Sequence, residues 1–196
     1  MTNAVNDEAL DTIFRNARTY RKWQGKPVSN ALLMAVYDLM RLGPTEGNIC
    51  PARIVFVVSP EAKARLMPLL DAGNREKTQT AAATAIIGYD LAFTEKLGEL
   101  VPHNPKAAEA FTDPKVREFS ALRSGNLQGG YFMLAARALG LDCGPMGGFN
   151  RDGVDKEFFA GTEIKSDFLC NLGYGDAAGM RPRGPRLSFD EACKLI

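Results

Sequence analysis

The chain has 196 residues, 45% of them hydrophobic, and its 24 basic and 23 acidic residues leave a formal net charge of +1. This length is sufficient to bury a full hydrophobic core, and we predict a single domain over residues 1–196. The balanced charge excludes the broad basic surface with which nucleic-acid-binding proteins neutralise phosphates. Any local cluster of arginines therefore needs a local explanation.

The cysteine and histidine content gives no support for a metal site. The only histidine is His103, and the four cysteines contain no C-x-x-C pair, so a zinc site of familiar spacing is excluded. We expect free thiols in a reducing cytoplasm. No leader pattern opens the chain and no apolar run approaches the ~20 residues needed to span a bilayer, so we expect no membrane association.

The first predicted elements flank a helix. Arg18 and Arg21, in the block Arg18-Thr19-Tyr20-Arg21, precede a helix that Ser29 can cap and that Gly43-Pro44 ends. The loop Gly43-Pro44-Thr45-Glu46-Gly47-Asn48 follows it. The arginines suit an anion, and the loop offers uncharged hydrogen-bonding groups.

The remaining elements predict an α+β fold. Apolar, β-branched runs predict buried strands at residues 53–58, 84–89 and 167–172. Capping residues and spacing predict helices at 60–70 and 125–139 and a short helix after Ser188. Residues 100–113, rich in proline and polar residues, are the best candidate for a variable loop or lid. Few strands without regular strand–helix alternation favour α+β over a doubly wound sheet.

The surrounding sequence argues against two familiar functional motifs. Gly173, Gly175 and Ala178 match the spacing of a dinucleotide fingerprint, but the short tail that follows is interrupted by Pro182 and Pro185 and cannot supply a crossover helix and second strand. We interpret this segment as a glycine turn that leaves a core strand. The chain has no Gly-x-Ser-x-Gly elbow, and the lone histidine lies in a proline-flanked loop, so a hydrolase with a histidine base has little support.

Several dispersed polar groups are consistent with one ligand. Residues 141–149 are rich in glycine and would be a turn by themselves, yet their peptide N–H groups could face a flat ring. Arg18, Arg21 and Arg186 suit a phosphate. The edge of a ring with several carbonyls and nitrogens would be bound by Asn48, Asn74, Lys77 and the Gly147-Gly148 backbone. A phosphate joined to such a ring describes flavin mononucleotide (FMN).

These residues carry a resemblance to the nitroreductase family of FMN-dependent oxidoreductases over nearly the whole chain. Arg18-Thr19-Tyr20-Arg21 resembles the family's Arg-Ser-x-Arg phosphate motif, residues 43–48 its Ala-Pro-Ser-x-x-Asn loop, and Asn74-Arg75-Glu76-Lys77 its Asn-x-x-Lys pair. Pro145-Met146-Gly147-Gly148 stands where the family covers flavin N5; the family often has Glu at the position of Gly147, but the backbone makes that contact. The resemblance implies these FMN-binding residues: Arg18, Thr19, Arg21, Pro44, Thr45, Asn48, Asn74, Lys77, Pro145, Met146, Gly147, Gly148, Arg183 and Arg186.

Long blocks, including residues 127–131, 135–146 and 168–176, are similar to the malonic semialdehyde reductases of uracil degradation. This similarity implies reduction of malonic semialdehyde to 3-hydroxypropionate, with NADH or NADPH as reductant and ping-pong hydride transfer through flavin N5. The alternatives are a broad-specificity nitroaromatic or quinone reductase and a non-catalytic FMN storage or delivery protein. The sequence identifies no catalytic side chain; Tyr20, His103 and water are all open as proton donors.

The resemblance also implies an assembly. The expected fold is nitroreductase-like, with a central, mostly antiparallel sheet flanked by helices in an intertwined homodimer. Each dimer would hold two FMN sites built from both chains. The Pro44–Asn48 loop would serve the partner's flavin, and the helix before it would link the two sites.

Overall fold

A computed structural model describes residues 3–196 as four antiparallel strands flanked by helices. The strands are β1 (Ala52–Val57), β2 (Ala83–Asp90), β3 (Asp142–Met146) and β4 (Ile164–Gly173), in the spatial order β1-β2-β4-β3. Each neighbouring pair is antiparallel, which confirms the predicted α+β class and the antiparallel sheet. The three predicted strands correspond to β1, β2 and β4.

β3 corrects the prediction of a turn over residues 141–149. This strand pairs with β4 from Asp142 opposite Gly173 to Met146 opposite Leu169. Its Gly144-Pro145 pair is poor strand sequence, since glycine packs no side chain and proline lacks a ladder N–H. The order of the sheet places β3 at its edge, where proline is tolerated.

The helices largely follow the predicted caps. They are α1 (Asp7–Leu10), which continues as a π-helical turn at Asp11–Arg15, α2 (Asn30–Met40), α3 (Pro60–Leu66), α4 (Ala72–Thr80), α5 (Leu97–Leu100), α6 (Pro114–Ala138), α7 (Arg151–Phe158) and α8 (Phe189–Ala192). Ser29 accepts a hydrogen bond from Leu32 N, and Ser188 forms a capping box with Glu191. α3 ends earlier than predicted, at Leu66, and a 3-10 turn continues to Leu69.

α6 begins at Pro114, well before the predicted start at residue 125. Asp113 caps it by accepting a hydrogen bond from Lys115 N, and Pro114 stands at its first turn. Its first half exposes Val116 and Phe119, so the apolar spacing that marks a buried helix face is absent there. Gly140 follows the helix with a positive φ of 80°, as the predicted glycine end requires.

The sheet has a core on each face. Ile87 and Leu172 pack with Phe132 of α6 and Val36 of α2 on one face. On the other face Ile86 and Leu169 pack with Leu66, Val154 and Met146. Since adjacent residues of a strand point to opposite faces, Ile86 and Ile87 belong to different cores.

The predicted variable loop is tied to a third apolar cluster. Residues 107–111 form a 3-10 helix, and the buried ring of Phe111 meets Phe93 edge to face with centroids 5.0 Å apart. Ile49 and Leu97 complete the contact. The second half of this loop therefore has a fixed attachment to the core.

The described residues provide three further facts. No helix in residues 3–196 is both long and apolar enough to cross a membrane. Nor does that range contain a group of three His, Cys, Asp or Glu side chains able to hold a metal ion. All four cysteines, Cys50, Cys143, Cys170 and Cys193, are free thiols.

Candidate functional site

The arginine block lies against the edge strand of the sheet. Thr19 forms a parallel bridge with Cys143 of β3, and Tyr20 N donates to Cys143 O at 3.1 Å. Two residues after Arg21, Trp23 Nε1 donates to Lys77 O in α4 at 2.8 Å. These bonds bring the arginine block and the Asn74–Lys77 helix together although more than fifty residues separate them in sequence.

A cavity of about 450 Å³, here called the arginine cavity, lies between this block and the C-terminal tail. Its described lining includes six guanidinium groups and no carboxylate. They belong to Arg18, Arg21, Arg137, Arg181, Arg183 and Arg186. Like charges gathered in this way repel one another, and an anion bound among them would offset that repulsion. The cavity is therefore suited to a phosphate or carboxylate.

Two arginines join the tail to the N-terminal segment. Arg18 Nη2 donates to Arg181 O, and Arg183 Nη2 donates to Arg15 O at 2.6 Å and to Ala17 O at 2.8 Å. Each of these bonds crosses from one end of the chain to the other. Arg183 therefore holds the tail against the N-terminal segment at the rim of the cavity.

Arg186 is held differently. Its Nη1 donates to Gly184 O and Pro185 O, both at 3.0 Å, which are carbonyls of its own turn. The guanidinium is thereby oriented without linking distant segments. Of the two predicted tail arginines, Arg183 therefore bonds to a distant segment, whereas Arg186 bonds only within its own turn.

A second cavity of about 240 Å³, here called the lysine cavity, adjoins the first. Arg21, Gly179 and Arg181 line both, and Lys77 lines only the second. Burial lowers the pKa of Lys77, and the charge of Arg21 lowers it further. Arg21, which the sequence assigned to the phosphate, therefore lies between the arginine cavity and Lys77.

Asn74 and Gly148 are in direct contact. Asn74 Nδ2 donates to Gly148 O at 2.7 Å, and Asp71 N donates to the same oxygen at 3.2 Å. A Cβ on Gly148 would lie 2.6 Å from Asp71 Oδ2 and 2.7 Å from Asn74 Nδ2, so glycine permits this approach. A Cβ on Gly147 would meet nothing within 4 Å, so this residue faces open space.

A buried polar network that sequence reasoning missed fixes α4 to the sheet. Asn171 Nδ2 donates to Thr78 Oγ1 at 3.1 Å, and Thr84 Oγ1 donates to Asn171 Oδ1 at 2.7 Å. Thr78 Oγ1 also contacts Met146 Sδ at 3.7 Å. The side chain of Met146, which the sequence predicted to bind FMN, therefore points toward the core. Because buried polar groups are costly unless paired, the network holds Asn74 and Lys77 in one position relative to β3. No sequence signal marks it, since its members read as ordinary strand and helix residues.

The loop of residues 44–48 lies apart from these cavities. Tyr131 Oη donates to Pro44 O at 3.1 Å, Thr45 Oγ1 accepts from Cys50 N at 3.2 Å, and Asn48 Nδ2 donates to Leu100 O at 2.9 Å. Asn48 (φ 57°) and Cys50 (φ 40°) have left-handed backbone, an arrangement that clusters at functional sites. Both line a separate cavity of about 420 Å³ that includes none of the six arginines.

Eleven of the fourteen sequence-predicted residues fall into three groups, whereas Pro145, Met146 and Gly147 line neither the arginine cavity nor the lysine cavity. The arginine cavity contains Arg18, Thr19, Arg21, Arg183 and Arg186. Lys77 adjoins it, and α4 carries Asn74 to the Gly148 end of β3. Pro44, Thr45 and Asn48 are not brought to these groups within one chain. His103, exposed in its loop, lines neither the arginine cavity nor the lysine cavity.

Comparison with known proteins places this architecture in a family. Residues 14–175 match the model of the Nitroreductase family, and the chain belongs to that family. A candidate NADH dehydrogenase/NAD(P)H nitroreductase of Stenotrophomonas maltophilia is 56% identical over 195 residues, covering 100% of both chains.

Solved structures show the same fold at low sequence identity. A candidate nitroreductase of Exiguobacterium sibiricum, determined in complex with FMN, has a TM-score of 0.86 at 20% identity and full coverage of both chains. A gut-bacterial enone reductase that acts in fatty acid saturation has a TM-score of 0.82 at 17% identity, covering 98% of this chain and 100% of its own. The nitroreductase-like fold is thereby established.

Proposed function

We propose that the protein is an FMN-dependent oxidoreductase that uses NADH or NADPH to reduce a small acceptor. The observation that carries the proposal is the arginine cavity opening beside Lys77, with Asn74 and Gly148 on the same edge of the fold. One end offers charge to a phosphate and the other offers hydrogen bonds to a ring. The FMN-bound structure and the name of the 56% identical relative support this reading.

The chain's own residues would bind and orient rather than react. Bound FMN supplies hydride uptake from the nicotinamide and hydride delivery to the acceptor. Arg18 and Arg186 would hold the phosphate, while Arg21 and Lys77 would supply positive charge to the ring. Because the Thr78 network and the Asn74–Gly148 bond fix Asn74 and Lys77 beforehand, these two groups would need little reorganisation as charge develops.

For the acceptor, we propose malonic semialdehyde, which would be reduced to 3-hydroxypropionate. The long blocks similar to that subfamily support this choice, whereas the relatives' names favour a nitroaromatic or quinone reductase as the second candidate. Steady-state rates with the aldehyde and with a nitroarene separate the two. Aldehyde turnover no faster than that of free FMN contradicts the first.

The flavin assignment has a direct test. The purified protein is expected to be yellow, to bleach with NADH or NADPH and to recover its colour when acceptor is added. A protein that bleaches slowly and does not reoxidise supports the storage alternative. A colourless protein that also refuses added FMN contradicts the flavin assignment altogether.

Lys77 predicts how FMN affinity depends on pH. An anionic ligand favours the protonated amine, and burial lowers the Lys77 pKa below its ordinary value of 10.5. FMN affinity is therefore full below this lowered pKa and falls as the pH rises through it, because protonating Lys77 then becomes part of the cost of binding. Fluorescence titration of FMN across the alkaline range measures the fall.

The control for this titration is Lys77→Arg, which stays protonated throughout the range. It is expected to lose the pH-dependent fall that the wild type shows, while effects on the flavin itself remain in both proteins. An identical fall in the two proteins contradicts the role of Lys77.

We also propose that the protein is a homodimer in which the loop of residues 44–48 reaches the partner's flavin. α2 exposes several large apolar side chains, and exposed apolar surface often marks an interface. Those of α2 are Met34, Tyr37 and Leu39. The tail exposes Leu187 and Phe189, which a partner could cover. Sedimentation equilibrium measures the assembly, and an FMN-loaded monomer would contradict it.

A further inference from the structure

Arg137 is the one arginine of the arginine cavity that comes from the middle of the chain. It stands in the last turn of α6, and its side chain lines the cavity with Arg18, Arg21 and Arg186. In the sequence it is an ordinary helix C-terminal arginine, a position where a cation is favoured by the helix dipole. Its place in the fold gives it a second role.

The positive charge of Arg137 is incompletely compensated by the protein. Its Nη1 donates to Ile13 O at 3.1 Å, but its Nε is enclosed and has no hydrogen-bond partner. Among residues 3–196, no carboxylate lies within ion-pairing distance of it. Burial raises the pKa of Asp142, and the charge of Arg137 offsets part of the rise, so this carboxylate interacts with Arg137 at a distance; it forms no ion pair with it and accepts instead from Gly175 N at 2.8 Å. A partly buried cation short of partners is costly, and an anion in the adjoining cavity would supply the missing counter-charge.

The surrounding backbone holds Arg137 in place before any ligand arrives. Ile13 lies in the π-helical turn Asp11–Arg15, and turns of this kind occur often at functional sites. Two and four residues further along the chain, the carbonyls of Arg15 and Ala17 accept hydrogen bonds from Arg183. Carbonyls of residues 13–17 thus fix two guanidinium groups at the wall of one cavity. Such preorganisation lowers the entropy cost of binding.

We propose that Arg137 is a phosphate-binding residue, contributed by α6 and oriented by the Ile13 carbonyl. The ligand class is a phosphate monoester, and the identification of that ester as FMN rests on the proposed function. The planar, forked guanidinium can donate to the carbonyl and to a phosphate oxygen together, which a lysine ammonium does with less geometric definition. Arg137 would therefore select the phosphorylated flavin over riboflavin.

The test compares FMN with riboflavin, which lacks the phosphate. Loss of a charge-assisted hydrogen bond typically raises the dissociation constant roughly 10- to 100-fold. Fluorescence titration of Arg137→Ala is expected to show a loss of this size for FMN and a change of less than about twofold for riboflavin. Arg137→Lys, which retains the charge without the fork, is expected to lie between the wild type and Arg137→Ala. Arg65→Ala, an exposed arginine that lines neither cavity, is the matched control and should bind both flavins as the wild type does.

Each outcome decides the inference. FMN affinity unchanged in both Arg137 variants overturns it, and so does an equal loss for FMN and riboflavin, which indicates a purely structural tether to Ile13. If Arg137→Ala does not fold, the FMN-to-riboflavin ratio of Arg137→Lys decides instead.

A separate measurement distinguishes failure of this inference from failure of the proposed function. If the wild type binds no FMN, the flavin assignment is wrong, and the thermal shift caused by inorganic phosphate becomes the readout. The melting temperature of the wild type should then rise with phosphate, and that of the Arg137 variants should rise less. Equal shifts overturn the inference on this arm also.

Discussion

Replacing Arg18 and Arg21 together by alanine is expected to strip FMN from the purified protein and leave the fold intact. Each charge-assisted contact typically contributes about 1.5–3 kcal/mol, so the loss of two should weaken FMN binding by at least about 100-fold. The apo fold should be preserved because Arg18 is only partly buried, Arg21 is exposed, and Arg183 still holds the tail to Arg15 and Ala17 after the Arg18–Arg181 bond is lost. The change also relieves repulsion among the six arginines. The flavin-to-protein absorbance ratio after gel filtration measures the effect.

The two single replacements should differ in kind. Arg18 lines only the arginine cavity, so Arg18→Ala should weaken FMN binding and leave riboflavin binding nearly unchanged. Arg21 lines both cavities, so Arg21→Ala should weaken the binding of both flavins. A double variant that elutes as yellow as the wild type would contradict the assignment of Arg18 and Arg21 to the FMN site.

Gly175→Ala is expected to damage both stability and flavin retention. A Cβ at this position would lie 2.1–2.3 Å from three atoms of the Tyr20 ring, well inside van der Waals contact. The ring must move, and Tyr20 stands between Arg18 and Arg21. Overpacking of this kind costs about 1–3 kcal/mol. Urea unfolding of the apo protein and FMN titration measure the two effects.

A second substitution tests whether that steric clash is the cause. Adding Tyr20→Ala to Gly175→Ala removes the obstructing ring, so the double variant should recover part of the stability lost in the single one. Gly98→Ala is the control, since a Cβ there would meet nothing within 4 Å. Normal stability and FMN affinity in Gly175→Ala would show that Tyr20 does not hold the arginine block.

The sequence predicted the parts of the site that use distinctive residues in short motifs. Arg18, Arg21 and Lys77 were identified because cations at these spacings are informative, and the structure brings them to adjoining cavities. Whether they bind flavin stays a prediction. β3 was not predicted because Gly144-Pro145 argues against a strand, and only pairing with β4 overrides that local preference.

Other parts depend on tertiary context that no local pattern encodes. Arg137 is indistinguishable in sequence from any cation at a helix end, and its importance lies in the distant partners that meet it. The Thr78–Asn171–Thr84 network joins residues up to 93 positions apart. The early start of α6 was hidden because its exposed apolar side chains follow no inward-facing stripe.

The hydrogen bonds between the N-terminal segment and the tail have a consequence for folding. Arg18 donates to Arg181 O, and Arg183 donates to Arg15 O and Ala17 O, so each bond closes a loop of 163 to 168 residues. Closing so long a loop is entropically costly unless the sheet between its ends has already brought them together. Closure of this wall, and with it capture of the phosphate ligand, would thus follow formation of the sheet. Because a ligand that binds only the native state stabilises it, bound phosphate would also hold the two segments together against local opening.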